Sequence, residues 1–377
     1  VTVPKKALIG PWGHAYPHLA APGPRIGFLQ EALRWWDCWR HSNVWPPASS
    51  TATQYFIDGN CLADKPGETQ RYIIASPCDT GINMGEWMPL GIGAEMPGDQ
   101  RLDNGGAVIF ETQPLSVPVE IVGNPEVLLN LSATESIAQI SVRLGDVHPD
   151  GASTLISYGV LNLTHRDSNA IPTKLIPNQY YQVRIPLNGI AYRIPTGHWL
   201  QLSLASAQWP LVWPSPRQSK ISLDSNKTFV TLPITRSSGL QNMSHFESPE
   251  IAMPLEATWL RDPQHRRVID RDIVTNLTKL KHIRDEGAFR INSHGMIVDS
   301  QGIEEHSIVS TDPLSAHGLV NWQLRLARDT WHTLVECSVE QTTTEKTFEL
   351  DVTLLIKDND SVICSKKTRH SINRVLV

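Results

Sequence analysis

The chain has 377 residues, 40% of them hydrophobic and 19% charged, and its 33 basic and 38 acidic side chains give a formal charge of −5. That length supports two or three domains with a sizeable core. The interspersed, net negative charge argues against nonspecific nucleic-acid binding and against an anionic membrane surface, and no apolar run approaches the ~20 residues that cross a bilayer.

The five cysteines, Cys38, Cys61, Cys78, Cys337 and Cys364, are widely spaced and include no C-x-x-C. They fit free thiols in a reducing cytoplasm better than a zinc site or a redox pair, and neither a metal nor a cofactor is expected. The start, Val1-Thr-Val-Pro-Lys5, carries no charged-then-apolar signal pattern. A chain that opens on Val rather than Met is also compatible with removal of an upstream segment.

In chain order, the first element is Ala7-Leu-Ile-Gly-Pro-Trp-Gly-His14. Residues 7–9 read as a strand end, and Gly10, Pro11 and Gly13 then force a tight loop that carries an imidazole clear of the sheet. Ile26, Leu29, Leu33, Trp36 and Trp39 recur at helical spacing after Gly23-Pro24, and Trp45-Pro-Pro47 halts any continuation of that pattern. From about residue 48 to 235 the character changes to short alternating runs at 54–57, 71–74, 107–111, 117–121, 126–132, 138–144, 154–161, 181–186, 199–203 and 227–232. Many short strands with turn signals between them predict a β-sandwich, and a jelly roll fits the strand count. Residues 77–104 lack alternation and are glycine-rich, which predicts a long ordered loop. After a Ser237-Ser-Gly239 linker, residues 260–290 are charge-rich. Arg266, Arg267, Arg271 and Lys279 there read as a solvated face. Alternation returns at 318–327, 330–340, 347–357 and 362–371, a meander forming a third, smaller β unit. The expected boundaries are 1–45, 46–235 and 236–377.

Several residues have chemistry to offer, and most have a structural reading that competes with it. His18 lies four residues after His14, but Tyr16, Pro17 and Pro22 break the helical presentation that a metal pair would need. Asp146, His148 and Asp150 form an oxygen-rich loop without the length or terminal Glu of an EF-hand, so a turn with Asx hydrogen bonds is favoured. Trp199, Trp209 and Trp213 would stack sugars if exposed. Large indoles more often serve core and interdomain packing. Asp312-Pro-Leu-Ser-Ala316 lacks the paired glycines of a nucleophile elbow and reads as a turn opening the meander.

Taken together, Gly10-Pro-Trp-Gly-His14, Leu33-Arg-Trp-Trp-Asp-Cys-Trp39, Gly98-Asp-Gln-Arg101, Leu144-Gly-Asp-Val-His-Pro-Asp-Gly-Ala-Ser153, Gly159-Val-Leu-Asn-Leu-Thr-His-Arg-Asp-Ser168 and Pro195-Thr-Gly-His-Trp-Leu200 resemble the cocaine esterase and X-prolyl dipeptidyl peptidase family of serine hydrolases, the CocE/NonD type. Asp312 to Ala316 resembles the extra C-terminal β domain of one branch.

The resemblance implies a strand-loop-helix remnant of an α/β-hydrolase, then the family's jelly roll, then a C-terminal antiparallel β domain. It also implies that His14 is the general base of a Ser-Asp-His triad. Chain order in that fold is serine, acid, histidine, so the other two members are expected ahead of Val1. No Gly-x-Ser-x-Gly occurs in the chain, and Asp37 comes after the histidine.

The expected function is therefore the C-terminal part of an ester or X-Pro-type peptide hydrolase, inactive by itself. Trp12, Trp209 and Trp213 are candidate pocket or interdomain residues. The expected partners are an N-terminal hydrolase portion, a small ester or peptide substrate, and a second copy of the chain through the exposed helix stripe. The alternative is a noncatalytic β-sandwich binding module with a vestigial histidine loop.

Overall fold

A computed structural model describes residues 8–41, 50–235 and 247–377. Ala7, the Trp45-Pro-Pro47 stop and the Ser237-Ser-Gly239 linker lie outside the described residues, as do the side chains of Trp36 and Trp39. The helix expected after Gly23-Pro24 is α1 (Phe28–His41). Residues 8 and 9 of the expected strand end at 7–9 carry no ladder partner among the described residues. A strand needs a neighbour to satisfy its backbone groups, and none is offered to this segment here.

The chain is mainly β, as predicted, and its strands form two sheets. The first sheet takes β1 (Ser50–Asp58), β2 (Cys61–Ala63), β3 (Arg71–Ile74), β4 (Val108–Glu111), β5 (Val119–Gly123) and β6 (Glu126–Ala133). It continues with β7 (Gln139–Val147), β8 (Ser153–Asn162), β9 (Tyr181–Pro186), β10 (Ile190–Ile194), β11 (Trp199–Ala205) and β12 (Ile221–Thr235). The order is β10-β5-β12-β1-β2-β4-β11-β7-β8, with β3 and β6 also on β12 and β9 on β6.

The pairing closes a sandwich because β12 is long enough to serve several partners. Ile221 to Asp224 pairs with β3 and β6, and Phe229 onward pairs with β6, β1 and β5, with a register shift between the two segments. Inside, every second residue points to the core. Val127, Leu129 and Leu131 on β6 meet Ile140, Val142 and Leu144 on β7, all fully buried. Burial of aliphatic side chains on this scale, at about 25 cal/mol per Å² of apolar surface, is the main stabilising contribution.

Strand β7 is buried on both faces. Its outer face is polar, so the cover must be polar too. Residues 77–104, the loop expected from composition, supply it. Arg143 donates to Gln100 at 2.9 Å, to Ser203 at 3.1 Å and to Asn104 at 3.3 Å, and it faces Asp103 at 3.6 Å. The Asp103 carboxylate accepts from the Gly81 and Asn83 amides. Burial pushes Asp103 up and Arg143 down, against their mutual attraction. The pair persists because nearly every polar atom around it is hydrogen-bonded.

The second sheet is a meander of long strands: β13 (Ala257–Arg261), β14 (Gln264–Asp272), β15 (Leu277–Ile291), β16 (Ile297–Val309), β17 (Asp312–Arg328), β18 (Trp331–Thr343), β19 (Thr347–Asp358) and β20 (Ser361–Asn373). Both β13 and β14 pair with the same edge of β15, and the rest come in sequence order.

The charge-rich stretch is strand, and Arg266, Arg271 and Lys279 are exposed on it as expected. Other charges of this stretch, and Arg271 itself, bind the 77–104 loop. Arg271 pairs with Asp79 at 2.6 Å, Arg267 donates to the Ile82 and Gly85 carbonyls, and Arg284 pairs with Glu86 at 3.0 Å, Glu95 at 2.9 Å and Glu304 at 2.9 Å. His282, 1% exposed, hydrogen-bonds Glu86 through Nδ1 at 3.1 Å. The sandwich, the loop and the meander are thus three successive layers.

Candidate active site

The loop that carries His14 is held by its backbone. The Gly13 amide donates to the Ala21 carbonyl at 3.0 Å, and the His14 amide donates to the Pro89 carbonyl. A Cβ at position 13 would stand 2.4 Å from the Gly91 nitrogen and 2.7 Å from the Pro89 oxygen, so only glycine allows the approach. Gly91 answers with φ +90° and equally little room beside the Ala21 carbonyl. The imidazole of His14 is exposed and takes no hydrogen-bond partner among the described residues. A histidine clamped through its backbone with its ring left free can accept a proton from an incoming hydroxyl, given a nucleophile on the open side.

Trp12 stands behind the histidine and donates its indole N–H to the Pro24 carbonyl at 2.8 Å. It lines two cavities. One, of about 470 Å³, runs between the loop and α1 past Ile9, Pro17, Phe28 and Trp35. The other, of about 690 Å³, runs between the loop and the sandwich and is walled by Trp87, Tyr158 and Tyr192. The larger cavity also takes polar side chains, Glu86, Asp99, Ser153 and Asn188 among them, so aromatic walls and polar groups share it. Sequence reasoning did not single out Trp87, Tyr158 or Tyr192, because they come from the loop and from two strands that only the fold brings together.

His18 does not join His14. Its ring stacks on Phe28 at 6.0 Å and on Tyr16 at 5.8 Å. On α1, Glu31 is 4% exposed and pairs with Arg34 at 2.6 Å, which also reaches Glu247 at 2.9 Å. Ile26, just before the helix, is buried, but Leu29 and Leu33 are 51% and 63% exposed. Leu29 and Leu33, one turn apart on α1, are thus exposed, and so are Ile9, Tyr16 and Leu19 in the histidine-loop segment.

Trp209 and Trp213 lie elsewhere. They pack edge to face at 5.3 Å, Trp209 against His306 of β16 and Trp213 against Phe348 of β19. With Cys78, Ile308 and Ala316 they form the apolar centre of the sandwich–meander junction, and neither lines a cavity with Trp12. Burial pushes the Cys78 thiol up. Ser315 donates to the Asp312 carbonyl and accepts from the Val309 amide at the start of β17, a turn role.

A family model described as the X-Pro dipeptidyl-peptidase C-terminal non-catalytic domain matches residues 23–265. The cocaine esterase of Rhodococcus sp. (strain MB1 Bresler) is 23% identical over 188 residues, 46% of this chain and 33% of that protein. The chain thus spans about a third of the curated relatives it matches. Among solved structures, an α-amino acid ester hydrolase gives a TM-score of 0.44 at 20% identity over 51% of this chain and 38% of that one. A CocE/NonD family hydrolase from Staphylococcus aureus gives 0.39 at 12% identity over the same shares. With the family model matching well over half of its length, the chain belongs to the X-Pro dipeptidyl-peptidase C-terminal non-catalytic domain family.

Proposed function

We propose that the chain is the C-terminal portion of a Ser-Asp-His hydrolase that cleaves an ester or an X-Pro-type peptide or amide, with His14 as general base and then general acid. The serine, the acid and most of the oxyanion hole belong to an α/β-hydrolase portion outside these 377 residues. Residues 1–45 are read as the last piece of that portion, 46–235 as the sandwich that shapes its acyl pocket, and 236–377 as the added β domain. The free state of Cys61, Cys78, Cys337 and Cys364 supports a reducing, cytoplasmic setting.

The observation that carries this reading is the exposed His14 ring, without a hydrogen-bond partner among the described residues, on a backbone-clamped turn whose neighbours Trp12 and Gly13 line cavities. The test has two arms. The 377-residue chain alone releases no p-nitrophenol from activated esters above background and takes no serine-directed phosphonate. Joined to its hydrolase portion, it turns over, and His14→Ala lowers kcat on the order of 10⁶-fold. Phosphonate-titratable turnover by the chain alone, or a His14→Ala enzyme with unchanged kcat, overturns the assignment.

The competing binding-module reading draws on the family model's description as a non-catalytic domain. It predicts full stability and a specific soluble ligand with no hydrolase portion present. The burial of Trp209 at 1% removes that indole from any sugar-stacking surface.

A further inference from the structure

Two sequence stretches that are about fifty residues apart meet at one end of the sandwich. Asp146 lies near the end of β7, and His148 comes just after it in the turn. His198 immediately precedes β11, whose Leu200 is paired with Asp146. His198 Nδ1 stands 2.8 Å from Asp146 Oδ1, and the Tyr192 hydroxyl donates to Asp146 Oδ2 at 2.9 Å. The rings of His148 and His198 are 4.8 Å apart. One donor atom from each of Asp146, His148 and His198 lies within 4.8 Å of the other two. Asp150, grouped with Asp146 and His148 by sequence proximity, turns away and accepts the Ala152 amide in an Asx turn.

The independent observation is charge. Asp146 is 2% exposed, and its ion-pair partner among the described residues is His198 alone. A buried carboxylate is costly unless a cation balances it. The comparison within this molecule is direct. Glu86, His282 and Glu304 also converge, but there the Arg284 guanidinium pairs with both glutamates. Among the described residues, no arginine or lysine pairs with Asp146. Asp146 thus presents a buried carboxylate to two imidazoles, with no arginine or lysine beside it among the described residues.

We propose that Asp146, His148 and His198 form a binding site for a divalent cation of the zinc class. Two imidazoles and a carboxylate are a donor set suited to zinc, cobalt and nickel and foreign to calcium or magnesium. The backbones are fixed: the His148 amide donates to the Ala152 carbonyl at 2.8 Å, and the His198 carbonyl accepts the Leu115 amide at 2.8 Å. Tetrahedral bonds of about 2.0–2.1 Å place donor atoms roughly 3.3 Å apart. His148, the member on a turn, closes the remaining gap by side-chain rotation, giving up its 3.0 Å contact with Thr154. Tyr192 then orients the ligating carboxylate. The site joins the β7–β8 turn to the start of β11, so its occupancy stiffens that end of the sandwich. None of its three ligands lines the cavity beside the His14 loop, but Tyr192, which holds Asp146, stands on that cavity's wall.

The test is titration of the untagged chain at neutral pH with Co²⁺ and then Zn²⁺, read by visible absorption and by the thermal unfolding midpoint. The expected result is one Co²⁺ per chain, with d–d bands but no strong near-ultraviolet thiolate band, displaced by Zn²⁺, and a midpoint that rises with either ion. His148→Ala, a change on a turn that leaves the fold intact, and His198→Ala each weaken binding at least about 100-fold, and Tyr192→Phe weakens it roughly tenfold. The proposal is overturned if the wild-type chain takes up no metal, if the His148→Ala/His198→Ala double variant binds as well as wild type, or if the bound cobalt shows a thiolate band and so sits on cysteine.

Discussion

At the scale of single residues, the histidine loop depends on what is missing from its backbone. Gly13 has no side chain where one would meet Gly91 and Pro89. Gly13→Ala forces the loop off the 85–98 segment. It is expected to speed amide hydrogen exchange over residues 13–21 and, in the assembled hydrolase, to lower kcat about 100-fold by displacing the imidazole roughly 1 Å. Unchanged exchange protection would show that the loop is not held this way. The histidine loop was marked in the sequence by Gly-Pro-Trp-Gly taken together with the downstream motifs. Its neighbours were not. Tyr158 and Tyr192 look like ordinary strand aromatics until β8 and β10 place them on one cavity wall. Asp146 and His148 were seen as a loop cluster, but His198, which completes the group, lies on the far side of a strand pairing that the sequence does not display.

At the scale of elements, strands with one buried face were read well. The runs at 71–74 and 181–186 coincide with β3 and β9, and the four last alternating runs fall largely within β17 to β20. Strands whose inner face is charged were missed. In β15, the face that turns inward carries Thr278, Leu280, His282 and Arg284, and only Leu280 signals a core. The energetics explain the error. Those polar groups are buried because the 77–104 loop answers them with acids and carbonyls, and hydropathy alone registers them as solvated.

The same contacts make the junction sensitive to acid. The hydrogen bond from His282 holds the Glu86 carboxyl below its ordinary 4.5, helped by Arg284 and opposed by burial. A lowered folded-state value means that the stabilisation is fully present above about pH 4.5 and is lost as pH falls through the folded-state value. Glu86→Gln is expected to cost about 1.5–3 kcal/mol at neutral pH. It should also flatten the dependence of the unfolding midpoint on pH between about 3 and 6. Equal slopes for wild type and variant would rule out Glu86 as the titrating group.

At the scale of the whole molecule, two features govern association. Leu29 and Leu33 are exposed on α1, as are Ile9 and Tyr16 in the histidine-loop segment. Exposed apolar side chains on one helix face favour self-association unless another body covers them. The chain alone is expected to sediment as a concentration-dependent oligomer, and Leu29→Glu/Leu33→Glu to shift it toward monomer without lowering its unfolding midpoint. A monodisperse wild-type monomer at high concentration would favour the binding-module reading. The second feature is the bond between sandwich and meander. Trp209 and Trp213 lie between them, and at the end of the chain Arg374 donates to the Pro214 carbonyl at 2.6 Å while the Leu376 carbonyl accepts from Asn162 at 2.7 Å.

The reach of β12 has a consequence for biosynthesis. This one strand, the last of its sheet to be translated, supplies ladder partners to β1, β3, β5 and β6. Until residue 235 leaves the ribosome, those earlier strands wait with open hydrogen-bonding edges. At about 5–20 residues per second, the interval from Ser50 onward lasts on the order of ten seconds or more. Throughout that time the nascent sandwich is a substrate for holdase chaperones. A ribosome stalled before Ile221 would present an aggregation-prone chain, and one stalled far enough beyond Thr235 to clear the exit tunnel would present a protease-resistant one.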